Sequence, residues 1–460
     1  MTQTSLERAK QYLEQHPELG ALEILSPDMN GILRAKRIPR VEVETFFDKG
    51  LTGPGTTPIM NSLGDCCDSI GLGTFDGDPD KGLHPVASTL APIPWLRSAT
   101  HQVLGHWTEL DGSPLAWNPR TVLANALQPL TDMGLKVVVA TELEFYLLED
   151  VDGPTPRPRL GKILGTNLRQ QGVQYCNPED MAEFDDFLEA VRLACAVQDV
   201  PATTAHLEFA AGQFEINLHH VEDVLAACDH AVLLKRLVKG VAAEQGMGAT
   251  FMAKPFADQP GSGLHIHISV YDSEGNNIFV DPTATATPPV NETMRHAIGG
   301  LADIMGDCQA MFAPNANSYR RLQPGCFAPL SPNWGYNHRN VSLRIPVSDA
   351  KNLRIEHRVA GADANPYLVM ACILAGIHHG ITRQCEPGPF IDEGTILDKE
   401  EITLATNWPQ ALDNFAASKI LPSYFGADYC KVFEAVRRDE CGQFNAVISD
   451  VDYQWYLRSV

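Results

Sequence analysis

Four short segments of this chain place charged or metal-binding residues on one face, with the other face mostly apolar. Glu142 and Glu144 flank Leu143. Glu208 and Glu215 bracket Gly212–Gln213. His265 and His267 flank Ile266, and Arg354, Glu356 and Arg358 alternate with Ile355 and His357. Successive side chains of a strand point to opposite faces, so each set shares one face and leaves the other to pack on a core. A single pair of this kind reads as the solvated face of an edge strand. Four sets rich in Glu and His read instead as the wall of an inward-facing polar funnel. Five carboxylates in one cavity do not all stay ionised without cations, and divalent metals supply them. A Glu-rich set with one or two His suits Mg²⁺ or Mn²⁺ rather than tetrahedral zinc.

A basic cluster lies close by. The segments SYRRLQPG, NHRNVSLRIP and KNLRIEHR supply Arg320, Arg321, Arg339, Arg344, Lys351, Arg354 and Arg358. Arg outnumbers Lys here, and its forked donors match phosphate and carboxylate oxygens. Carboxylates, divalent metals and several Arg are what phosphoryl transfer from ATP to a carboxylate requires. No Walker A or kinase Gly-rich sequence is present, so the nucleotide pocket is of another kind. Gly261–Ser262–Gly263 alone reads as an ordinary tight turn.

The rest of the composition sets bounds. With 460 residues the chain is too long for one compact core, which predicts two domains. A formal net charge of −22 sets it against nucleic acid and anionic membranes. No apolar run approaches the roughly 18 residues that span a bilayer. The 11 Cys lack C-x-x-C spacing, and free thiols in a reducing cytoplasm are the expectation.

Along the chain, SLERAKQYLEQ predicts a helix, and LEILSPDMNGILRAKRI a hairpin turning at Pro27–Gly31. Residues Gly53–Gly82 predict a long functional loop. Asn118 caps a helix with Pro119 in its first turn and Gly134 at its end. The domain boundary is therefore placed near 112, giving 1–111 and 112–460. Beyond it LKVVVATELEFYLLE predicts a strand and PEDMAEFDDFLEAVRLACAVQ one helix. ATTAHLEFAAGQFEINLHH predicts two strands around a Gly, and EDVLAACDHAVLLKRLVKGVAAEQG a long helix. ATFMAKPF and GLHIHISVYD predict strands.

The order TELEF, EFAAGQFEI, KPF…GSGLHIHIS, NSYRRLQPG, NHRNVSLRIP and RIEHR…DANPYL, from Glu142 to Leu368, resembles the glutamine synthetase family. That resemblance implies an α+β fold: a small N-terminal β-grasp domain, then a large glutamine-synthetase-type α/β catalytic domain. It implies one metal site of Glu144, Glu208 and Glu215 and another of Glu142, His265 and Glu356. Arg321, Arg358 and the backbone at Gly261 look like the glutamate clamp. Arg339, Arg344 and Arg354 look like phosphate-binding residues, with His267, Ser269 and Lys351 near ATP. Arg339, Arg344 and Glu208 are the implied catalytic set. It also implies active sites shared between subunits of a ring, usually two stacked hexamers.

The departures from the family pattern concern the acceptor. The family's flap Glu after R-L-x-P-G is replaced by Cys326–Phe327. The D-G-S-S motif is absent from GLTGPGTTPIMNSLGDCC, and Pro260 stands where Asn usually precedes G-S-G. These features resemble the γ-glutamyl-amine ligase branch. The expected reaction is ATP-dependent ligation of the glutamate γ-carboxylate to an organic amine, with Phe327 covering its alkyl part. Leu322–Pro332 is the expected flap, and Asp65, Asp68 and Glu208 are the candidate bases. Ligation of ammonium and a catalytically inactive structural or regulatory member are the alternatives.

Overall fold

Period-two burial runs the length of the strand at the centre of the molecule. In Lys136–Leu148 the odd-numbered residues Val137, Val139, Thr141, Leu143 and Phe145 are buried, while Glu142 and Glu144 lie on the other face, only partly exposed. The computed structural model describes residues 4–149, 155–283, 288–395 and 402–460, the side chain of Asp68 excepted. It shows a mixed α/β fold built on two sheets.

Helix α1 (Ser5–Gln15) opens the described chain, with Thr4 and Glu7 forming a reciprocal capping box. Strands β1 (Ala21–Pro27) and β2 (Leu33–Pro39) form the expected hairpin. Helix α2 (Val43–Lys49) and strands β3 (Leu51–Pro54), β4 (Asp80–Pro92) and β5 (Thr100–Thr108) complete a five-stranded sheet, ordered β2-β1-β5-β4-β3. The expected loop Gly53–Gly82 starts inside β3 and ends inside β4, with two short 3₁₀ turns between.

Helix α3 (Pro119–Asp132) follows. Asn118 has the extended backbone of a cap, but its side chain donates to the Trp107 carbonyl and makes no cap bond. The helix entry is thus tied to the end of β5. The long strand described above is β6. The expected single helix after it is broken at Phe184 into α4 (Pro178–Glu183) and α5 (Asp185–Val197). Phe184 leaves helical geometry and packs edge-on against Phe214, ring centroids 4.9 Å apart. Strands β7 (Ala202–Leu207) and β8 (Gln213–Leu218) precede helix α6 (Val224–Glu244).

The ATFMAKPF stretch is a strand only in β9 (Gly248–Thr250). Beyond it the Lys254 amide donates to Asn317 Oδ1 and the Ala253 carbonyl accepts from Ser262, so the backbone turns away from the sheet. Strand β10 (Leu264–Tyr271) is followed by helices α7 (Glu292–Asp303), α8 (Met305–Phe312) and α9 (Ser318–Arg321). Three short strands, β11 (Trp334–Tyr336), β12 (Leu343–Ile345) and β13 (Ile355–His357), lead to helix α10 (Pro366–Arg383) and β14 (Phe390–Ile391). The second sheet runs β14-β11-β12-β13-β10-β6-β8-β7, with β9 also paired to β6. β6 is therefore an interior strand, and its Glu residues are not an edge feature.

One face of this sheet is dry. Residues 366–377 of α10 are buried without exception, and α10 crosses α7 at glycines. A Cβ on Gly300 would sit 2.2 Å from the Gly376 carbonyl oxygen, so the backbones touch where no side chain fits. Among the described residues no helix is long and apolar enough to cross a membrane.

Three helices are joined by one buried charge network. Arg120 of α3 donates to Asp229 of α6, and the Tyr367 hydroxyl of α10 donates to the same carboxylate at 2.6 Å. Removing one partner of a buried pair leaves the other charge uncompensated. We expect Asp229→Ala to lower unfolding free energy by ~3–5 kcal/mol in urea titration, and Arg120→Met with Asp229→Leu to cost less.

Candidate active site

Strand register assembles the polar face. Glu215 of β8 lies opposite Glu144 of β6 on one side and His206 of β7 on the other. One step along, Glu142 of β6 faces His265 of β10. Next, His267 of β10 faces Glu356 of β13, and Glu356 faces Arg344 of β12. Residues from six strands thus form one floor, since cross-strand partners stand close enough to interact. Above it lies a cavity of about 970 Å³, walled also by Glu208, Arg321, Phe327, Arg339, Arg354 and Arg358.

Donor atoms cluster in three overlapping groups, each within 4.8 Å of one another: Glu142, His265 and Glu356; Glu144, Glu215 and His265; and His206, Glu208 and Glu215. The first is one of the triads that the resemblance implied. In the others Glu208 is drawn toward His206 Nε2, 3.0 Å away, while His265 joins Glu144 and Glu215. His206 did not figure in the sequence reading. Its signal was there, because it precedes Glu208 by two residues in AHLEF.

Hydrogen bonds preset the donors. Arg354 Nε donates to His267 Nδ1 at 3.2 Å, which leaves His267 Nε2 to donate to Glu142 Oε1 at 2.8 Å. His265 Nδ1 lies 3.3 Å from the other oxygen of Glu142. Glu144 Oε2 accepts from the Gly263 amide at 2.7 Å. Glu356 sits between Arg344 Nη1, 2.8 Å away, and Arg358 Nη1.

Burial works to raise Glu142, Glu208, Glu215 and Glu356, and neighbours decide the outcome. Burial opposes ionisation of Glu356, but Arg358, the two His and Arg344 hold it at about 2. Glu142 is likewise held low despite burial by its bonds to His265 and His267. Glu215 goes the other way. Burial, then the charges of Glu142, Glu144 and Glu208, push it up to about 9. At Glu215, therefore, burial and like charge outweigh the cations nearby. Oxygen-rich donor groups with one or two imidazoles fit hard divalent ions such as Mg²⁺ or Mn²⁺.

The basic cluster divides. Arg321, Arg339, Arg344, Arg354 and Arg358 line the cavity. Arg320 and Lys351 do not: Arg320 stands over the Phe444 ring, and Lys351 is exposed. Arg320 and Arg321 are neighbours on one helical turn and so cannot share a direction. Arg321 is buried, with its guanidinium held by the carbonyls of Val359 and Arg358. Gly261 lies beside it, where a Cβ would come within 2.8 Å of Arg321 Cγ and 2.5 Å of the Ala253 carbonyl oxygen. Its own carbonyl accepts from Gln213. Ser269 is buried, donates to the Leu353 carbonyl, and lines an adjoining cavity of about 300 Å³ together with His267, Glu142 and Arg354.

The mouth is aromatic. Phe327 lies in a strap whose neighbours Leu322, Ala328 and Leu330 are buried and whose tip, Pro324–Phe327, is largely open. Phe327 has φ +56°, a left-handed conformation that costs a non-glycine residue ~1–3 kcal/mol. Its ring centroid lies 6.1 Å from that of Phe209, the residue after Glu208, and Tyr175 lines the same wall. Phe209 and Tyr175 had no periodic signal, because both lie in turns. Of the candidate bases, Glu208 is in the cavity wall and Asp65 is not; the side chain of Asp68 lies outside the described residues.

Carboxylates, imidazoles and guanidinium groups thus surround one cavity on a mixed, mainly antiparallel sheet. The profile described as "Glutamine synthetase, catalytic domain" matches residues 116–456, and the chain belongs to the glutamine synthetase family. It is a ligase that forms a C–N bond. The chain is 39% identical to gamma-glutamylputrescine synthetase PuuA of Escherichia coli (strain K12), over 98% of this chain and 95% of that one. It is 30% identical to a glutamate–isopropylamine ligase of Pseudomonas sp, over 98% and 97%. The solved structure of apo GmaS without ligand superposes with a TM-score of 0.83 at 23% identity, covering 100% of both chains, a likeness of fold.

The raised Glu215 gives a test with a definite sign. Its folded value of about 9 stands above the ordinary 4.5, so it is protonated at neutral pH in the folded chain and ionised in the unfolded one. Its stability contribution is complete below the ordinary carboxylate value and is lost as pH rises through about 9. Binding Mg²⁺ or Mn²⁺ at neutral pH should expel that proton. Calorimetric titration in buffers of different ionisation enthalpy should show proton release, and Glu215→Gln should abolish it.

Proposed function

We propose that this ligase joins the γ-carboxylate of glutamate to an organic amine, a polyamine such as putrescine or a small alkylamine, through γ-glutamyl phosphate made with ATP. The observation that carries the acceptor is the Phe209–Phe327 pair at the cavity mouth. Ammonium is small and strongly hydrated, and a dry pocket must offer it close negative partners. Two aromatic rings instead cover an alkyl chain and attract a cationic amine through their faces. The names of the similar proteins, which act on putrescine and isopropylamine, favour the same acceptor class.

The roles are those that the resemblance implies, and the place of most of these residues in the cavity wall supports them. Arg321 and Arg358, with the backbone at Gly261, hold glutamate's charged groups so that its γ-carboxylate faces the phosphate. Arg339, Arg344 and Arg354 receive phosphate oxygens, with His267 and Ser269 on the nucleotide side; Lys351 stands further out. Glu142, Glu144, Glu208, Glu215, His265 and Glu356 would hold two divalent ions, which would supply positive charge to offset that of the phosphates. A carboxylate oxygen of glutamate attacks the γ-phosphorus and ADP leaves. The amine nitrogen then attacks the acyl carbon, phosphate leaves, and the amine gives up a proton. Glu208, held ionised by His206 despite burial and placed directly before Phe209, is the acceptor we assign. The strap Leu322–Pro332 excludes water from the acyl phosphate.

We further infer that residues 1–111 form a β-grasp unit that completes a neighbour's site in a ring of two stacked hexamers. In support, the described cavity wall uses residues 142–358 alone. A monomer separated by dilution should be inactive, with the oligomer read by light scattering.

The amine is tested by phosphate release with glutamate, ATP and Mg²⁺ across ammonium, methylamine, isopropylamine, ethanolamine, putrescine and spermidine. At least one organic amine should exceed ammonium in kcat/KM by ~100-fold, about 2.7 kcal/mol of transition-state discrimination. Ammonium as the best acceptor would make the chain a glutamine synthetase with an unusual strap. Phe209→Ala should lower kcat/KM for the preferred amine ~10-fold while leaving glutamate KM unchanged. Arg358→Lys should raise glutamate KM, because it keeps the charge and loses the fork.

A further inference from the structure

A second set of metal-ligating side chains lies far from the cavity in sequence. His16 follows α1, Glu18 lies in the connection to β1, and His101 is the second residue of β5. Glu18 Oε1 lies 2.9 Å from His16 Nδ1 and 3.7 Å from His101 Nε2, and the three donors all fall within 4.8 Å of one another. Zinc bonds of ~2.0–2.1 Å in a tetrahedron place neighbouring donors about 3.3 Å apart, between those two values. The 3.7 Å separation is too long for a hydrogen bond. An ion would close that gap.

The surroundings hold the donors as a ligand set needs. The His101 side chain is 3% exposed, and its other nitrogen, Nδ1, meets the Tyr12 hydroxyl at 2.6 Å. A hydroxyl accepting from Nδ1–H leaves Nε2 with its lone pair toward Glu18, the outer-sphere arrangement that orients a ligating imidazole. Tyr12 also packs on His16, ring centroids 4.2 Å apart. The Arg40 guanidinium donates to the carbonyls of His16 and Leu13, fixing the backbone from which His16 projects. His16 and Glu18 are partly open to solvent, so an ion has a way in.

We propose that His16, Glu18 and His101 bind one zinc-like divalent ion, with water as fourth ligand, clipping the end of α1 to β5. Two imidazoles and one carboxylate select against Mg²⁺, which prefers oxygen donors in an octahedron. The site is thereby distinguished from the carboxylate-rich cavity by metal preference as well as by place. Its role is structural: the ion joins the N-terminal helix to the first sheet.

The test uses the whole chain with Mg²⁺ in large excess, so that the cavity is filled with Mg²⁺, and titrates Co²⁺ as a spectroscopic probe. Wild type should take up about one Co²⁺ per chain with the visible absorption of a tetrahedral centre. Glu18→Gln and His16→Ala, at partly exposed positions that fold without difficulty, should lose that absorption and keep full Mg²⁺-dependent activity. Zn²⁺ should raise the Tm of wild type and leave both variants unchanged. Equal Co²⁺ uptake and spectra in wild type and variants, or no tetrahedral absorption in wild type, would overturn the proposal.

Discussion

Repulsion among carboxylates in one cavity is the interaction on which the rest of this structure depends. Glu142, Glu144, Glu208, Glu215 and Glu356 share a wall that is mostly out of water. Three of them are held ionised by named partners: Glu142 by His265 and His267, Glu208 by His206, and Glu356 by Arg358 and Arg344. Glu215 is left with burial and like charge, and it rises. A chain that spends stability this way in the middle of its main sheet needs that charge for chemistry. On the proposed function, divalent ions and a polyphosphate together would settle it, because the ions would neutralise the wall and the Arg residues the phosphate.

Holding such a floor rigid requires a dry backing. The opposite face of β6 and β10 is Val, Leu, Ile and Phe with the single Thr141, and the helices behind it are tied to one another by the Arg120–Asp229–Tyr367 network. The close crossing of α7 and α10 at glycine brings their backbones together. Packing of this density lets cross-strand register, rather than flexible loops, set the distances among the charged groups.

The mouth obeys a different economy. Where the floor is charged and preset, the rim is aromatic and strained. Phe327 occupies a left-handed conformation that a glycine would adopt without cost, and what the position gains is ring contact with Phe209. On the proposed function that gain would lie in an organic acceptor's apolar part; the departures from the family pattern fall at the strap, at Pro260 and in GLTGPGTTPIMNSLGDCC, while the charged floor keeps its pattern.

Much of this was legible from residue order. Period-two patterning marked β6, β8 and β10 and named most of the floor, because alternation is a local property of a strand. Patterning near Phe184 predicted one helix, since nothing local shows that its ring is claimed by Phe214. ATFMAKPF looked like a strand until Asn317, over sixty residues away, captured the Lys254 amide. The run SYRR gave two adjacent Arg equal standing; the fold turned Arg321 inward and sent Arg320 to Phe444. His206 was within reach of the sequence, whereas Phe209 and the His16–Glu18–His101 group were not. The sequence by itself determined which residues share a face and what chemistry they bring, because those follow from covalent alternation and side-chain type. Which faces meet, and therefore which carboxylate finds a cation and which is left to rise, was decided only by tertiary structure, because electrostatic energy depends on distances between strands that the order of residues along the chain does not contain.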